Sequence, residues 1–330
     1  MRDFSRNAAR YFAAAAATLF LISCGGSSDE TPAPPPFGKT TYVVGASLSD
    51  NGNACNLSAS NCPPSPPYAP GVYSNGTLWV TRVAAAYGAS VTPSRLGGND
   101  FAYAGARTGA VPGVTTAQGV PNMVQQVDSM LTRNGFLVIP QNLVVVDASA
   151  FGNNINDALT LAGANPANAQ TIVTNAITAG VTDIVGIVNR LYAAGARNIL
   201  LVTVPDIGKT PLLQGSGSPT AIATATTMSA QYNGALAQQM NNLRAVSPGL
   251  VISTLDLFAL LTQVQANPGA YGFANATMAC FVPPGGATPA SLCSPDPAIQ
   301  NTYLFWDPFH PTAGTGALMA STALTAIGVH

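Results

Sequence analysis

Histidine is almost missing from this chain: 330 residues hold two, His310 and the terminal His330. That scarcity excludes a histidine-rich metal centre, and the five cysteines include no Cys-x-x-Cys pair. Neither a metal nor another cofactor is expected. Charge is scarce too. Charged residues make up 8% of the chain, the net charge is −1, and no basic stripe exists, which excludes nucleic acid as a partner. Beyond the N-terminal leader no run reads as long and apolar enough to span a bilayer. What is present is length, sufficient for one large domain with a substantial core.

The leader carries Arg2, Arg6 and Arg10, then an apolar stretch from Tyr11 to Ile22. It is too short for a stable span and predicts an export signal over residues 1–23. The following Leu21-Ile22-Ser23-Cys24-Gly25 resembles the lipobox of bacterial lipoproteins. That resemblance implies a lipidated Cys24 as the mature N-terminus; a plain secretory leader with an incidental Cys24 is the alternative. Residues 24–36, rich in Gly, Ser and Pro, lack the apolar content for a core and read as a tether. The absence of Asp directly after Cys24 resembles lipoproteins sorted to an outer membrane. The expected location is therefore the bacterial cell envelope, with contact to the membrane through the lipid anchor. Cys55, Cys62, Cys280 and Cys293 remain, and four cysteines allow three pairings. Short loops and an oxidising compartment favour Cys55 with Cys62 and Cys280 with Cys293.

From Phe37 to His330 the pattern alternates. Strands are expected at Thr40–Val44, Leu143–Val146, Asn198–Val204 and Leu250–Thr254. Ile172, Val173, Ile177, Val181, Ile184, Val188 and Leu191 recur at three- and four-residue steps. They predict a long helix over 167–194 capped by Gly195, with Gly180 as a possible break into two. A further helix is expected near 223–244. Strands separated by such helices pair in parallel through right-handed crossovers, so the expected fold is a three-layer α/β/α sandwich with a mainly parallel central sheet. No repeat or second shift of composition divides residues 37–330, which read as one domain and a monomer. Ligands of such sheets bind beyond the carboxyl ends of the strands, where Ser47 and Asn154 would emerge.

Two short segments carry chemistry. Asp307-Pro308-Phe309-His310 places a carboxylate three residues before the one internal histidine, and Val43-Val44-Gly45-Ala46-Ser47 ends a β-rich run in a turn that presents a serine. A serine nucleophile needs an imidazole to take its proton and a carboxylate to orient that imidazole. Each segment alone is a weak signal, since a capped surface histidine or a turn serine would look the same.

Their company is more specific. Gly45-Ala46-Ser47-Leu48-Ser49-Asp50 resembles the Gly-Asp-Ser-Leu opening of the GDSL (SGNH) hydrolases, a family of flavodoxin-like fold. Ser74-Asn75-Gly76-Thr77-Leu78-Trp79, Asn99-Asp100-Phe101-Ala102-Tyr103-Ala104-Gly105, Val204-Pro205-Asp206-Ile207-Gly208 and Asp307-Pro308-Phe309-His310-Pro311 follow in the family's order. The resemblance implies Ser47 as nucleophile, His310 as general base and Asp307 as its orienting acid. It implies an oxyanion hole built from the N–H groups of Ser47 and Gly105 and a side-chain amide. It departs from the family at Ala46, where an aspartate is usual, and at Gly152-Asn153-Asn154-Ile155, where Gly-x-Asn-Asp is blurred. Keeping the Gly-x-Asn spacing makes Asn154 the donor; Asn153 and a merely structural asparagine are the alternatives. The implied activity is hydrolysis of a lipid or small-molecule carboxylic ester. An acyltransferase of the same family and a non-catalytic binding lipoprotein are the competing readings. The Cys62–Pro70 and 110–121 stretches would shape the groove.

Overall fold

Four runs of aliphatic residues form the central sheet: β1 (Thr41–Val44), β2 (Leu143–Asp147), β3 (Asn198–Val202) and β4 (Val251–Leu255). The computed structural model describes residues 38, 40–112, 114, 119–285 and 289–329. The leader 1–23, Cys24, the tether to residue 36 and part of the 110–121 stretch lie outside the described residues. All four strands run parallel in the order β1-β2-β3-β4, with Val43 beside Val145 and Val145 beside Leu200. Each lies within two residues of its expected span.

Alternation along these strands makes the three layers, because successive side chains of a strand point to opposite faces. Val44, Val144, Val146, Ile199, Leu201 and Ile252 enter one core. It is closed by α3 (Met123–Arg133), α4 (Phe151–Ala164), α5 (Ala169–Ala193) and α7 (Pro219–Val246). Val43, Leu143, Val145, Leu200, Val202 and Leu255 enter the other. That face is covered by α2 (Trp79–Ala86), α8 (Leu257–Ala266) and α10 (Ala313–Ala326). Short helices α1 (Asn53–Leu57), α6 (Pro211–Gln214) and α9 (Pro297–Gln300) fill the connections. The small pairs β5 (Asn275–Ala279) with β8 (Tyr303–Phe305) and β6 (Phe281–Val282) with β7 (Ser291–Leu292) complete the chain. The expected α/β sandwich is the one observed.

The expected break at Gly180 is absent; α5 runs unbroken from Ala169 to Ala193. Gly180 is there for a neighbour, since a Cβ at this position would lie 2.6 Å from the Phe151 ring. Gly195 does follow the helix end, at φ +107°. Contrary to the expectation from sequence, residues 166–193 are long and apolar enough to cross a membrane by length and hydropathy. Here Val181, Ile184, Ile187, Val188 and Leu191 are spent on the main core.

One further stretch sets the topology. Val43 N–H donates to the Asn99 carbonyl (3.1 Å), Phe101 N–H to Val43 (2.7 Å) and Tyr103 N–H to Gly45 (3.2 Å). Residues 99–103 therefore flank β1 on the side away from β2, in parallel. Counted with the strands, this segment makes the spatial order second, first, third, fourth, fifth. The order reverses between β1 and β2, and a crevice opens at that switch point beyond their carboxyl ends. Both cysteine pairs are bonded as favoured, Cys55–Cys62 and Cys280–Cys293.

Candidate active site

β1 ends at Val44, and the turn Gly45–Ser49 swings Ser47 into the crevice. The turn is held from three sides. The buried Gln126 carboxamide accepts the Gly45 N–H (2.8 Å) and donates to the Gly45 carbonyl (2.9 Å), standing in for a neighbouring strand. Gly45 itself is required by Asp147, whose Cβ would lie 2.6 Å from any Cβ placed there. Asp147 accepts the Ser49 hydroxyl (2.6 Å), which turns Ser49 away from the crevice and leaves Ser47 as the presented serine. Burial pushes the Asp147 carboxyl above the usual range against the pull of Ser149 and Ser49.

Asp50 finishes the turn. Its carboxylate accepts the N–H groups of Gly52 (2.8 Å), Asn53 (2.5 Å) and Ala54 (3.0 Å) at the start of α1. It also accepts the Ala104 N–H (2.8 Å), so one buried group ties the serine turn to the segment that carries Gly105. Burial raises the Asp50 carboxyl, and these four backbone donors oppose the rise. Gly105 adopts φ +80°, a conformation that side chains with a Cβ rarely take. No hydrogen bond from the Ser47 or Gly105 N–H to another protein group is present among the described residues.

The histidine arrives on the loop after β8. Asp307 Oδ1 accepts the N–H groups of Phe309 and His310, each at 2.7 Å, so the loop folds over its own carboxylate. Asp307 Oδ2 then meets His310 Nδ1 at 2.7 Å, and His310 Nε2 meets Ser47 Oγ at 2.8 Å. Residues 263 positions apart thus form one hydrogen-bonded chain from hydroxyl to carboxylate. Burial alone would push the Asp307 carboxyl up; His310, Tyr68 and the His310 N–H outweigh it and hold it below the usual range. A carboxylate that stays ionised fixes the imidazole with its proton on Nδ1 and its lone pair on Nε2, toward Ser47.

Asn154, the expected oxyanion donor, does not face this crevice. It is buried against Thr108, its Oδ1 accepting the Thr108 N–H (3.1 Å) and its Nδ2 reaching the Thr108 hydroxyl (3.3 Å). Asn153 faces the crevice instead, lining it with Ser47, Gly105 and His310 while one amide proton binds the Ala106 carbonyl (2.7 Å). The physical reason is helical register. Phe151, Asn154, Ile155 and Ala158 form the buried stripe of α4, and a residue one position earlier points about 100° away. Gly-x-Asn spacing was a weaker guide than that buried stripe, which the packing of α4 reveals.

Several other residues of the site escaped the sequence reading. Tyr68 donates its hydroxyl to Asp307 Oδ2 (2.6 Å), and Tyr73 lies 5.0 Å from the His310 ring, its own hydroxyl on the Asn61 carbonyl. Gln126 and Asp147 likewise had no local motif to mark them, and Asp50 stood in the serine motif without a role assigned to it. Arg107 donates to Asp157 at 2.8 and 2.9 Å and to the Gly105 carbonyl, so it braces the Gly105 segment. Among the described residues no group of His, Cys, Asp and Glu could hold a metal ion.

Two spaces meet at Ser47, Asn153 and Phe309. One is an open cleft of about 280 Å³ bounded by Ser60, Asn61, Tyr73, Gly105, Arg107 and His310. The other is a narrow apolar slot of about 40 Å³. Leu48, Ile207, Leu304 and Phe305 line it, with Leu257, Leu261 and Gln265 along one stripe of α8.

Fold and site together define an α/β protein with a serine–histidine–aspartate chain at the switch point of a parallel sheet. The chain belongs to the GDSL-like Lipase/Acylhydrolase family, whose model matches residues 42–322. It is similar to a phosphatidylcholine-sterol acyltransferase of Aeromonas hydrophila, 24% identical over 86% of this chain and 89% of that protein. It also resembles a GDSL esterase/lipase of Arabidopsis thaliana, 29% identical over 42% of this chain and 39% of the plant protein. The match thus spans well under half of the plant relative's length. A gut microbial diltiazem-metabolizing enzyme superposes with a TM-score of 0.47 at 11% identity, covering 89% of this chain and 48% of that one.

Proposed function

We propose that this protein is a serine esterase acting on short to medium linear acyl esters. The observation that carries the reading is the unbroken chain Ser47 Oγ–His310 Nε2 (2.8 Å) and His310 Nδ1–Asp307 Oδ2 (2.7 Å). In this mechanism His310 takes the Ser47 proton as Oγ attacks the ester carbonyl. The carbonyl oxygen becomes an oxyanion and rests on the N–H groups of Ser47 and Gly105 and on the second amide proton of Asn153. His310 returns the proton to the departing alcohol, leaving acyl-Ser47. Water, deprotonated by His310, then releases the acid and restores the serine. Fixed donors of this kind contribute about 3–4 kcal/mol each to the transition state of a comparable serine enzyme.

The acyl group fits the apolar slot and the alcohol the wider, more polar cleft. A slot of about 40 Å³ has room for a short chain as it stands, and a sterol or a long rigid acid would have to part its walls. A second reading, transfer of the acyl group to an alcohol in place of water, is favoured by the Aeromonas hydrophila acyltransferase that matches over 86% of the chain. The reading as a binding lipoprotein without catalysis is disfavoured, because nothing in simple binding asks for three side chains in hydrogen-bonded register.

The same proposal includes export by residues 1–23, lipidation of Cys24, a tether to residue 36 and a monomeric hydrolase domain over 37–330 in the bacterial envelope. Hydrolysis of p-nitrophenyl acetate, butyrate, octanoate and palmitate, with and without glycerol, tests the activity. Turnover lost in both Ser47→Ala and His310→Ala supports it, and a glyceryl ester product selects the transferase. Turnover undiminished in Ser47→Ala would sink it.

A further inference from the structure

We propose that Tyr68 is a positioning residue for the Asp307–His310 pair, delivered to it by a cross-linked clamp; this rests on the reading of those residues as a catalytic chain. Tyr68 lies 239 residues before Asp307, in the Pro-rich stretch Cys62-Pro63-Pro64-Ser65-Pro66-Pro67-Tyr68 that the sequence suggested for the substrate groove. Its hydroxyl instead points inward, 2.6 Å from Asp307 Oδ2, with the residue 7% exposed. Oδ2 is the oxygen that also receives His310 Nδ1–H, so the tyrosine and the imidazole share one acceptor atom.

The ring is held as firmly as the hydroxyl. It packs edge-on against Phe281 (5.6 Å) and Trp306 (6.0 Å), and the Cys280–Cys293 bond ties down the strand that carries Phe281. From the other side Cys55–Cys62 fastens the start of the Pro-rich stretch to α1, which directly follows the serine turn. Tyr73, on the same segment, lies against the His310 ring, and the Ser74 hydroxyl bonds the Pro311 carbonyl (2.9 Å). One segment therefore contacts the acid, the base and the loop beyond them. Burial and the neighbouring Asp307 charge push the Tyr68 phenol up, so it stays protonated and can only donate to the carboxylate.

A donor on Oδ2 does two things. It stops the carboxylate from rotating out of the imidazole plane, and it draws negative charge from the oxygen facing His310. Removing the hydroxyl alone should loosen the first and release the second. A more basic carboxylate favours the imidazolium, so His310 would take up its proton at higher pH.

Tyr68→Phe keeps the ring and deletes the donor. The expected results are a kcat for p-nitrophenyl butyrate lower by about tenfold, KM within about twofold, and an acidic limb of kcat/KM displaced upward by about half a pH unit. A second readout needs no turnover. With two histidines in the chain, the imidazole proton resonances of His310 and His330 can be titrated by NMR in parent and variant. The His310 midpoint should rise by the same half unit and the His330 midpoint should not move. A variant that is only less heat-stable, with both the acidic limb and the His310 midpoint unchanged, overturns the proposal. Absence of Ser47-dependent turnover in the parent overturns the esterase reading separately, while the NMR titration still decides whether Tyr68 acts on the pair.

Discussion

Replacing either of two adjacent asparagines gives the sharpest test of how this site is built. Asn153 faces the crevice and Asn154 faces Thr108, although they are neighbours of the same type on one helix turn. In Asn153→Ala the oxyanion loses its side-chain donor. Loss of one such donor costs about 3 kcal/mol in the transition state, or about a hundredfold in kcat, with little change in KM because the ground-state carbonyl barely uses it. In Asn154→Ala the damage is of another kind. The buried Thr108 N–H loses its acceptor, which costs about 2 kcal/mol of folding stability and a fall in Tm of about 3 °C for a domain of this size. The kcat should stay within a few-fold of the parent. Both variants would be assayed on p-nitrophenyl butyrate and melted under the same conditions. A hundredfold kcat loss in Asn154→Ala without destabilisation, beside a nearly normal Asn153→Ala, would refute the register assigned to α4.

Three further outcomes follow from the same geometry. Asp307→Asn should lower kcat by several orders of magnitude through the wrong imidazole tautomer. Because the folded Asp307 carboxyl is held below its unfolded value near 3.9, its contribution to stability is present above that value and lost as pH falls through the lower folded one. The Tm gap between parent and Asp307→Asn should therefore be widest near pH 7 and close below about pH 4; a gap that widens with acid would contradict the assignment. In the ester series, kcat/KM should rise about fourfold per added methylene while the chain fits the slot, then fall for palmitate. Leu261→Ala, which widens the slot on its α8 side, should move the optimum to a longer chain, and an unchanged profile would place the acyl group elsewhere. Opening the 13-residue span between Cys280 and Cys293 by Cys280→Ser with Cys293→Ser should cost about 3 kcal/mol, read as a lower midpoint in guanidinium. A variant as stable as the parent would show that the β6–β7 hairpin holds its place without the link.

Local pattern was enough for the sheet and the long helices. β2 and β3 are short runs of Val, Leu and Ile buried on both faces, and α5 repeats its apolar residues at helical spacing. Both are properties of neighbours in the chain, and so a reader of the chain can see them. The Asp307-x-x-His310 pair was legible for the same reason, since the aspartate folds its own loop and fixes the histidine three residues away. The serine was legible through its turn. Gly180 misled because the reason for a glycine there is the Phe151 ring, a residue from a different helix.

The amino-acid sequence by itself determined the order of strands and helices, the serine, the histidine and the acid that orients it. Only the tertiary structure decided which asparagine faces the crevice, which partner turns Ser49 away from it, and that a tyrosine from a Pro-rich stretch completes the acid's hydrogen bonds. The physical reason is range. Backbone propensity and hydrophobic period act over a few residues. The Asn153 direction, the Ser49–Asp147 bond and the Tyr68–Asp307 bond depend on contacts made when elements far apart in the chain pack against each other.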